Sequence, residues 1–145
     1  MNITYSEFTM DFYEQVIDLW TKCEGIGLSG ADSKEGIKNY LVRNPGMSLI
    51  ARDVHTIVGS ILCGHDGRRG YIHHLAVSPE CRRQGIGRKL VEKSNAVFQA
   101  CGIQKVHLFI FNENVSGIIF WEQIGWIHRK DISVISKVIE TAPEQ

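Results

Sequence analysis

The 145-residue chain is the size of one domain, long enough to bury about 70% of its unfolded surface in a single core without disulfide or metal support. A composition of 43% hydrophobic and 22% charged residues excludes a disordered chain, and sixteen Lys and Arg against sixteen Asp and Glu exclude a wholesale nucleic-acid binder. No apolar run approaches the roughly 20 residues of a membrane helix, and residues 1–7 lack the basic start and apolar stretch of a signal peptide, so a cytoplasmic protein is expected.

Residues 2–8 read as a short strand. Thr9 or Asp11 can cap a helix whose apolar positions, Phe12, Val16, Leu19 and Trp20, fall on one face. It stops near Cys23, before Gly25, Gly27 and Gly30. Asp32 or Ser33 can cap a second helix through Ile37, Tyr40 and Leu41, ended by the turn signal Asn44-Pro45-Gly46. Strands follow at 48–52 and 57–63. Asp66-Gly67 marks a hairpin into a strand at 71–77. A long helix spans about 84–100, with Leu90, Val91, Ser94, Val97 and Phe98 inward and Gly102 as its stop. A strand at 106–110 and a helix around 116–123 come next, and 126–139 alternates enough for two short strands. The order predicts an α/β (α+β) fold around one mixed sheet.

The four cysteines, at 23, 63, 81 and 101, form no CxxC pair, which excludes a zinc ribbon or thioredoxin motif and predicts reduced thiols. Of the six histidines only His73 and His74 adjoin; neighbours in a strand point to opposite faces, which disfavours a shared metal, and no metal site is expected.

Charge is balanced globally but not locally. Between Gly67 and Lys93 lie seven basic and two acidic side chains, a net +5 in a chain of net zero, suited to a small anionic ligand. Within that zone the apolar run Leu75-Ala76-Val77 leads through Ser78-Pro79 into Arg82-Arg83-Gln84-Gly85-Ile86-Gly87-Arg88 and then a helix. Glycines admit close backbone approach, and a helix start offers free N–H groups and the positive end of its dipole, so the segment fits a phosphate or pyrophosphate. No Gly-Lys-Ser/Thr exists for a P-loop. Leu90 stands where a dinucleotide fingerprint needs a third Gly or Ala.

What remains, Arg82-x-x-Gly85-x-Gly87 between a strand and a helix, resembles the acetyl-CoA signature of the GNAT N-acetyltransferase superfamily. The element order resembles that family over nearly the whole chain. Asn114-x-x-Gly117-x-x-Phe120-Trp121-Glu122-x-Ile124-Gly125-Trp126 is similar to its common C-terminal motif, and Leu19-Trp20 with Cys23 and residues 64–71 resemble its small bacterial YpeA-like branch. The resemblance implies one acetyltransferase domain over 1–145. It implies a mixed, mostly antiparallel sheet of about six to seven strands flanked by about four helices, splayed at the acetyl-CoA site.

It further implies that backbone amides of Arg83, Gln84, Gly85, Ile86, Gly87 and Arg88 hold the pyrophosphate, with Arg82 adding charge. Leu75, Ala76 and Val77 would pair with the pantetheine arm, with Asn114 and Trp121 alongside. The implied reaction is direct attack by a primary amine, of a small molecule or a protein, on the acetyl thioester, without nucleic acid or membrane; homodimers are frequent in such families. The runner-up is a non-catalytic acyl-CoA-binding module of the same fold. For the base, strand periodicity puts Tyr71, His73 and Leu75 on one face and Ile72, His74 and Ala76 on the other. His73 and Tyr71 are the expected catalytic pair, and a bulge would bring in His74. Trp121 stands where many members place a Tyr that can protonate the leaving thiolate, and an indole N–H cannot supply that proton. Gly67-Arg68-Arg69-Gly70 matches the KH-domain GXXG but joins strands, not helices. Glu24, Asp32 and Glu113 are candidates to line an amine-acceptor pocket, although each is more often an exposed charge, and the 25–30 connection with the second helix is expected to form walls of the acceptor site.

Overall fold

The computed structural model describes residues 1–139. Five strands, β1 (Ile3–Glu7), β2 (Leu49–Asp53), β3 (Thr56–His65), β4 (Gly70–Val77) and β5 (Val106–Leu108), lie in sheet order β1-β2-β3-β4-β5. The first four are antiparallel neighbours; β5 joins β4 in parallel, after the crossover through α3. The helices are α1 (Tyr13–Lys22), α2 (Lys34–Arg43), α3 (Ile86–Ala100) and α4 (Val115–Gln123).

The sheet separates two cores. On one face α1 and α2 press Val16, Leu19, Trp20 and Ile37 onto Ile50, Leu62 and Ala76. On the other, α3 presses Ile86, Leu90, Val91 and Phe98 onto Ala51, Ile61, Cys63 and Ile72. Strand β3, between them, is buried from Ile57 to Gly64, as a run whose one polar side chain is Ser60 requires. Trp20, 1% exposed, donates its indole N–H to Ser60 Oγ at 2.8 Å, so the two buried polar groups satisfy each other.

The local signals act as expected. Ser33 Oγ accepts from the Gly36 N–H and caps α2. Asp66 Oδ1 accepts from the N–H groups of Arg68 and Arg69, both at 2.8 Å, and shapes the β3–β4 hairpin. Two expectations fail. Thr9 and Asp11 do not cap α1: Thr9 precedes a 3-10 turn, Met10–Phe12, with no side-chain cap. The sheet has five strands rather than six or seven, because β5 stops at Leu108 and no strand follows it among the described residues. Alternation in 126–139 marks a capacity to pair, but Ile127, Ile132, Val134, Ile135 and Val138 all stay more than half exposed, without a ladder to lie against.

Candidate active site

Parallel pairing of β4 with β5 runs only from Gly70↔Val106 to Ile72↔Leu108. Beyond it β4 continues five residues to Val77 while β5 has ended, and the sheet opens. A slot forms there, bordered by Leu75 on one side, by Leu108, Phe109 and Ile110 on the other, and by Asn114 and Trp121 of the α4 region. Asn114 caps α4, its Oδ1 accepting from the Gly117 N–H at 3.0 Å. Trp121 packs against Trp126 with ring centres 4.7 Å apart, as an apolar wall.

The end of β4 feeds a 3-10 turn, Pro79–Cys81, and then the basic loop. Arg83 and Gly85 both adopt left-handed backbone, at φ 63° and 81°. Gly85 carries that conformation without strain and sits at the N-cap of α3, with no side chain capping the helix. The N–H groups of Ile86, Gly87 and Arg88 therefore lack intrahelical acceptors. No acidic residue stands in the first turn. Ile86 is buried in the second core and fixes the helix start, while Arg83, Gln84 and Arg88 face solvent. Free amides, a dipole end and the guanidinium of Arg83, with Arg88 shared with Glu92 at 3.4 Å, make a fitting cradle for a pyrophosphate.

Arg82 does something else. Its Nη1 lies 2.6 Å from Glu24 Oε1 and its Nε donates to the Val77 carbonyl at 3.3 Å, tying the loop to the chain after α1. The pair holds the Glu24 carboxyl below its usual range. Arg82 is thus a brace rather than a free phosphate ligand, and it occupies a carbonyl expected to meet the pantetheine arm. Ala76 is 2% exposed in the first core and can contribute only backbone.

The register of β3 against β4 slips by one residue, from Leu62↔His74 to Cys63↔Ile72, leaving His73 as the extra residue of a bulge. Strict alternation fails here. Ile72 and Leu75 join the core under α3, while His74 and Ala76 lie on the α1–α2 side. Both histidines border the slot and also a larger cavity of about 700 Å³ beside it. His73 sits edge-on to Tyr40 and parallel to Tyr71, with ring centres 5.3 and 6.3 Å apart. Crowding by the cleft walls, then the charge of His74, holds the His73 imidazole below its ordinary value, against a weaker pull from Asp32. His73 keeps an exposed edge in spite of that crowding. Tyr71 still pairs across to β5, against His107, and borders neither space.

His74 is engaged. Its Nε2 is 2.8 Å from Asp32 Oδ1, and both side chains are nearly buried. Asp32 Oδ2 accepts from the Ser29 N–H at 2.9 Å, and Tyr13 donates to the Asp32 carbonyl at 2.7 Å. Asp32, 8% exposed, is a buried pin rather than the solvated charge its sequence context suggests. Its one legible signal is the Ser29-x-x-Asp32 spacing of a capping box. Tyr40, Phe109 and Phe111 also border the larger cavity, with no motif to mark them, as do Leu62, Ile110 and Val134; the glycine-rich segment after α1, together with α2, supplies further walls.

The fold recurs in known proteins. Residues 13–126 match the model of the Acetyltransferase (GNAT) family. The chain belongs to that family. An acetyltransferase of Photorhabdus laumondii is 34% identical over 128 residues, 88% of this chain and 89% of its own length. The fold is similar to that of the PaiA N-acetyltransferase of Thermoplasma acidophilum in complex with coenzyme A, with a TM-score of 0.77 at 21% identity, over 86% of this chain and 89% of that one. It is also similar to a chain of the NatC complex bound to Gag peptide and CoA, with a TM-score of 0.74 at 26% identity, over 90% and 87%. The protein is an acetyltransferase.

Proposed function

We propose that residues 1–145 form one domain that moves the acetyl group of acetyl-CoA to a primary amine by direct attack. The supporting observation is the bulge that sets His73 at the junction of the slot and the larger cavity. The amides of residues 83–88 would hold the pyrophosphate, with Arg83 and Arg88 adding charge. The edge of β4 at Leu75 and Ala76 would take the pantetheine arm through its backbone, the Val77 carbonyl being held by Arg82, with Asn114 and Trp121 closing the slot around the thioester.

The neutral amine bonds through its nitrogen to the acetyl carbon, and His73, held neutral near pH 7, accepts the one proton that nitrogen sheds, directly or through one water. The carbon–sulfur bond breaks, and the electron pair leaves on the thiolate. Since Trp121 is no acid and Tyr71 lies outside both spaces, water protonates the thiolate, a small demand for a thiol of pKa about 8.5.

The test combines binding with turnover. Acetyl-CoA should raise the melting temperature of the native protein. Gly87→Glu should abolish the rise. A Cβ there meets Phe120 and Val77 no closer than 3.4 Å, so the fold tolerates a side chain while its carboxylate enters the cradle. An undiminished rise in the variant refutes the cradle. Acetyl-CoA binding without thiol release to any amine would favour the non-catalytic module.

A further inference from the structure

The larger cavity is bordered by a glycine-rich loop, one face of α2, Leu62 of β3, the bulge of β4, the chain just beyond β5 and Val134 further along the chain. Its charge inventory is short. Among the described residues around it there is no Lys or Arg, and one carboxylate, Asp32. Both oxygens of that carboxylate are taken, Oδ1 by His74 and Oδ2 by the Ser29 N–H. Among the described lining residues no free anion is left to meet a second ammonium, and no cation to meet a carboxylate or phosphate of the acceptor. Burying such a charge without a partner is costly, so the cavity selects against polycations and zwitterions alike.

The remaining walls are apolar. Phe109 and Phe111 keep 62% and 57% of their surface exposed, high for phenylalanine, and both border this space. Ile37, Leu62 and the Tyr40 ring form the floor. Burial pushes the Tyr40 phenol above its usual value, so it stays uncharged. Gly27 lies against Phe111: a Cβ there would sit 3.0 Å from the ring, so glycine keeps the loop and the aromatic wall in contact. About 700 Å³ is the size of a site for a drug-sized ligand rather than a minimal amine.

We infer that this cavity takes a primary monoamine carried on a bulky, uncharged, apolar body, an arylalkylamine in its simplest form. The inference rests on the acetyl-transfer reading above and adds the class of acceptor to it. The amine meets His73 at the mouth of the slot while its body lies between Phe109, Phe111 and the Tyr40 ring.

The experiment measures acetyl-CoA-dependent thiol release by the full chain with four acceptors: tryptamine, a dipeptide amide with N-terminal phenylalanine, spermidine and kanamycin. Tryptamine or the dipeptide should exceed both polycations at least tenfold in kcat/KM, and the better of the two tells a free amine from a chain terminus. Equal or better use of spermidine or kanamycin overturns the inference. Phe111→Asp supplies the missing anion at an exposed position. It should lower kcat/KM for tryptamine and raise it for spermidine, changing their ratio at least tenfold, and an unchanged ratio counts against the site. A thermal shift with acetyl-CoA alone separates the two layers of argument. Without that shift the acetyl-transfer reading fails; with it, and with polycations preferred, only the acceptor class does.

Discussion

His73 occupies the single position in β4 where the ladder skips a residue, and the crowding that results also keeps its imidazole neutral. A lowered imidazole pKa has a definite sign in kinetics. The base works when unprotonated, so kcat/KM should stay flat as pH falls to neutrality and decline only below about 6.5, the ordinary histidine value. His73→Ala should lower kcat by roughly 10²–10⁴-fold and remove that acid limb, with the acetyl-CoA thermal shift intact. A limb that persists in the variant would assign it to another group. Stability carries the same sign: the unfolded chain takes up this proton first, so His73 destabilises the fold as pH drops through 6.5. The sequence made His73 legible because a histidine next to a CoA-like loop is chemically informative. It raised a bulge only as the alternative that would bring in His74 and could not place it, since the extra residue is a property of the β3–β4 register.

The elements around the site differ in how much of their placement is local. The α3 start was readable because glycines, basic residues and apolar spacing all lie within one stretch of chain. The acceptor wall was readable as a loop but not as a pinned loop, because its pin joins Asp32 to His74 across 42 residues. Removing that pin leaves a histidine nitrogen and the Ser29 amide without their partner. Asp32→Ala should therefore cost about 2–3 kcal/mol in urea unfolding. It should raise KM for the amine more than for acetyl-CoA, and Asp32→Asn should lose less in both measurements. A second local strain lies far from the site, in the β2–β3 turn, where Val54 holds φ at 57°. A β-branched residue is poorly suited to left-handed backbone, and Val54 is 61% exposed, so no packing requires it. Val54→Asn should stabilise the protein by about 1 kcal/mol, a gain of about 4 °C in Tm, with activity unchanged.

At the scale of the molecule the sheet divides the interior into two layers, and the cysteines sample both. Cys23 lies in the layer under α1 and α2, Cys63 and Cys81 in the layer under α3, and Cys101 is exposed at the end of α3. Burial pushes the Cys63 thiol up to about 12, and burial, offset in part by Arg82, also raises Cys23, so neither forms thiolate at pH 8 in the folded state. A disulfide-exchange reagent should therefore modify one thiol of four quickly in native protein. The other three should wait for opening of the fold. Contacts through the central sheet argue that they wait for the same event. Trp20 of the first layer is hydrogen-bonded to Ser60 of β3, and Ser48 Oγ accepts from the Cys63 N–H and so fixes the strand that borders the second. Labelling of Cys23, Cys63 and Cys81 should thus follow one common dependence on denaturant, matching global unfolding. Early release of Cys23 alone would show that α1, α2 and the acceptor wall open as a separate unit. The Asp32 pin would then be the contact that governs entry to the acceptor cavity.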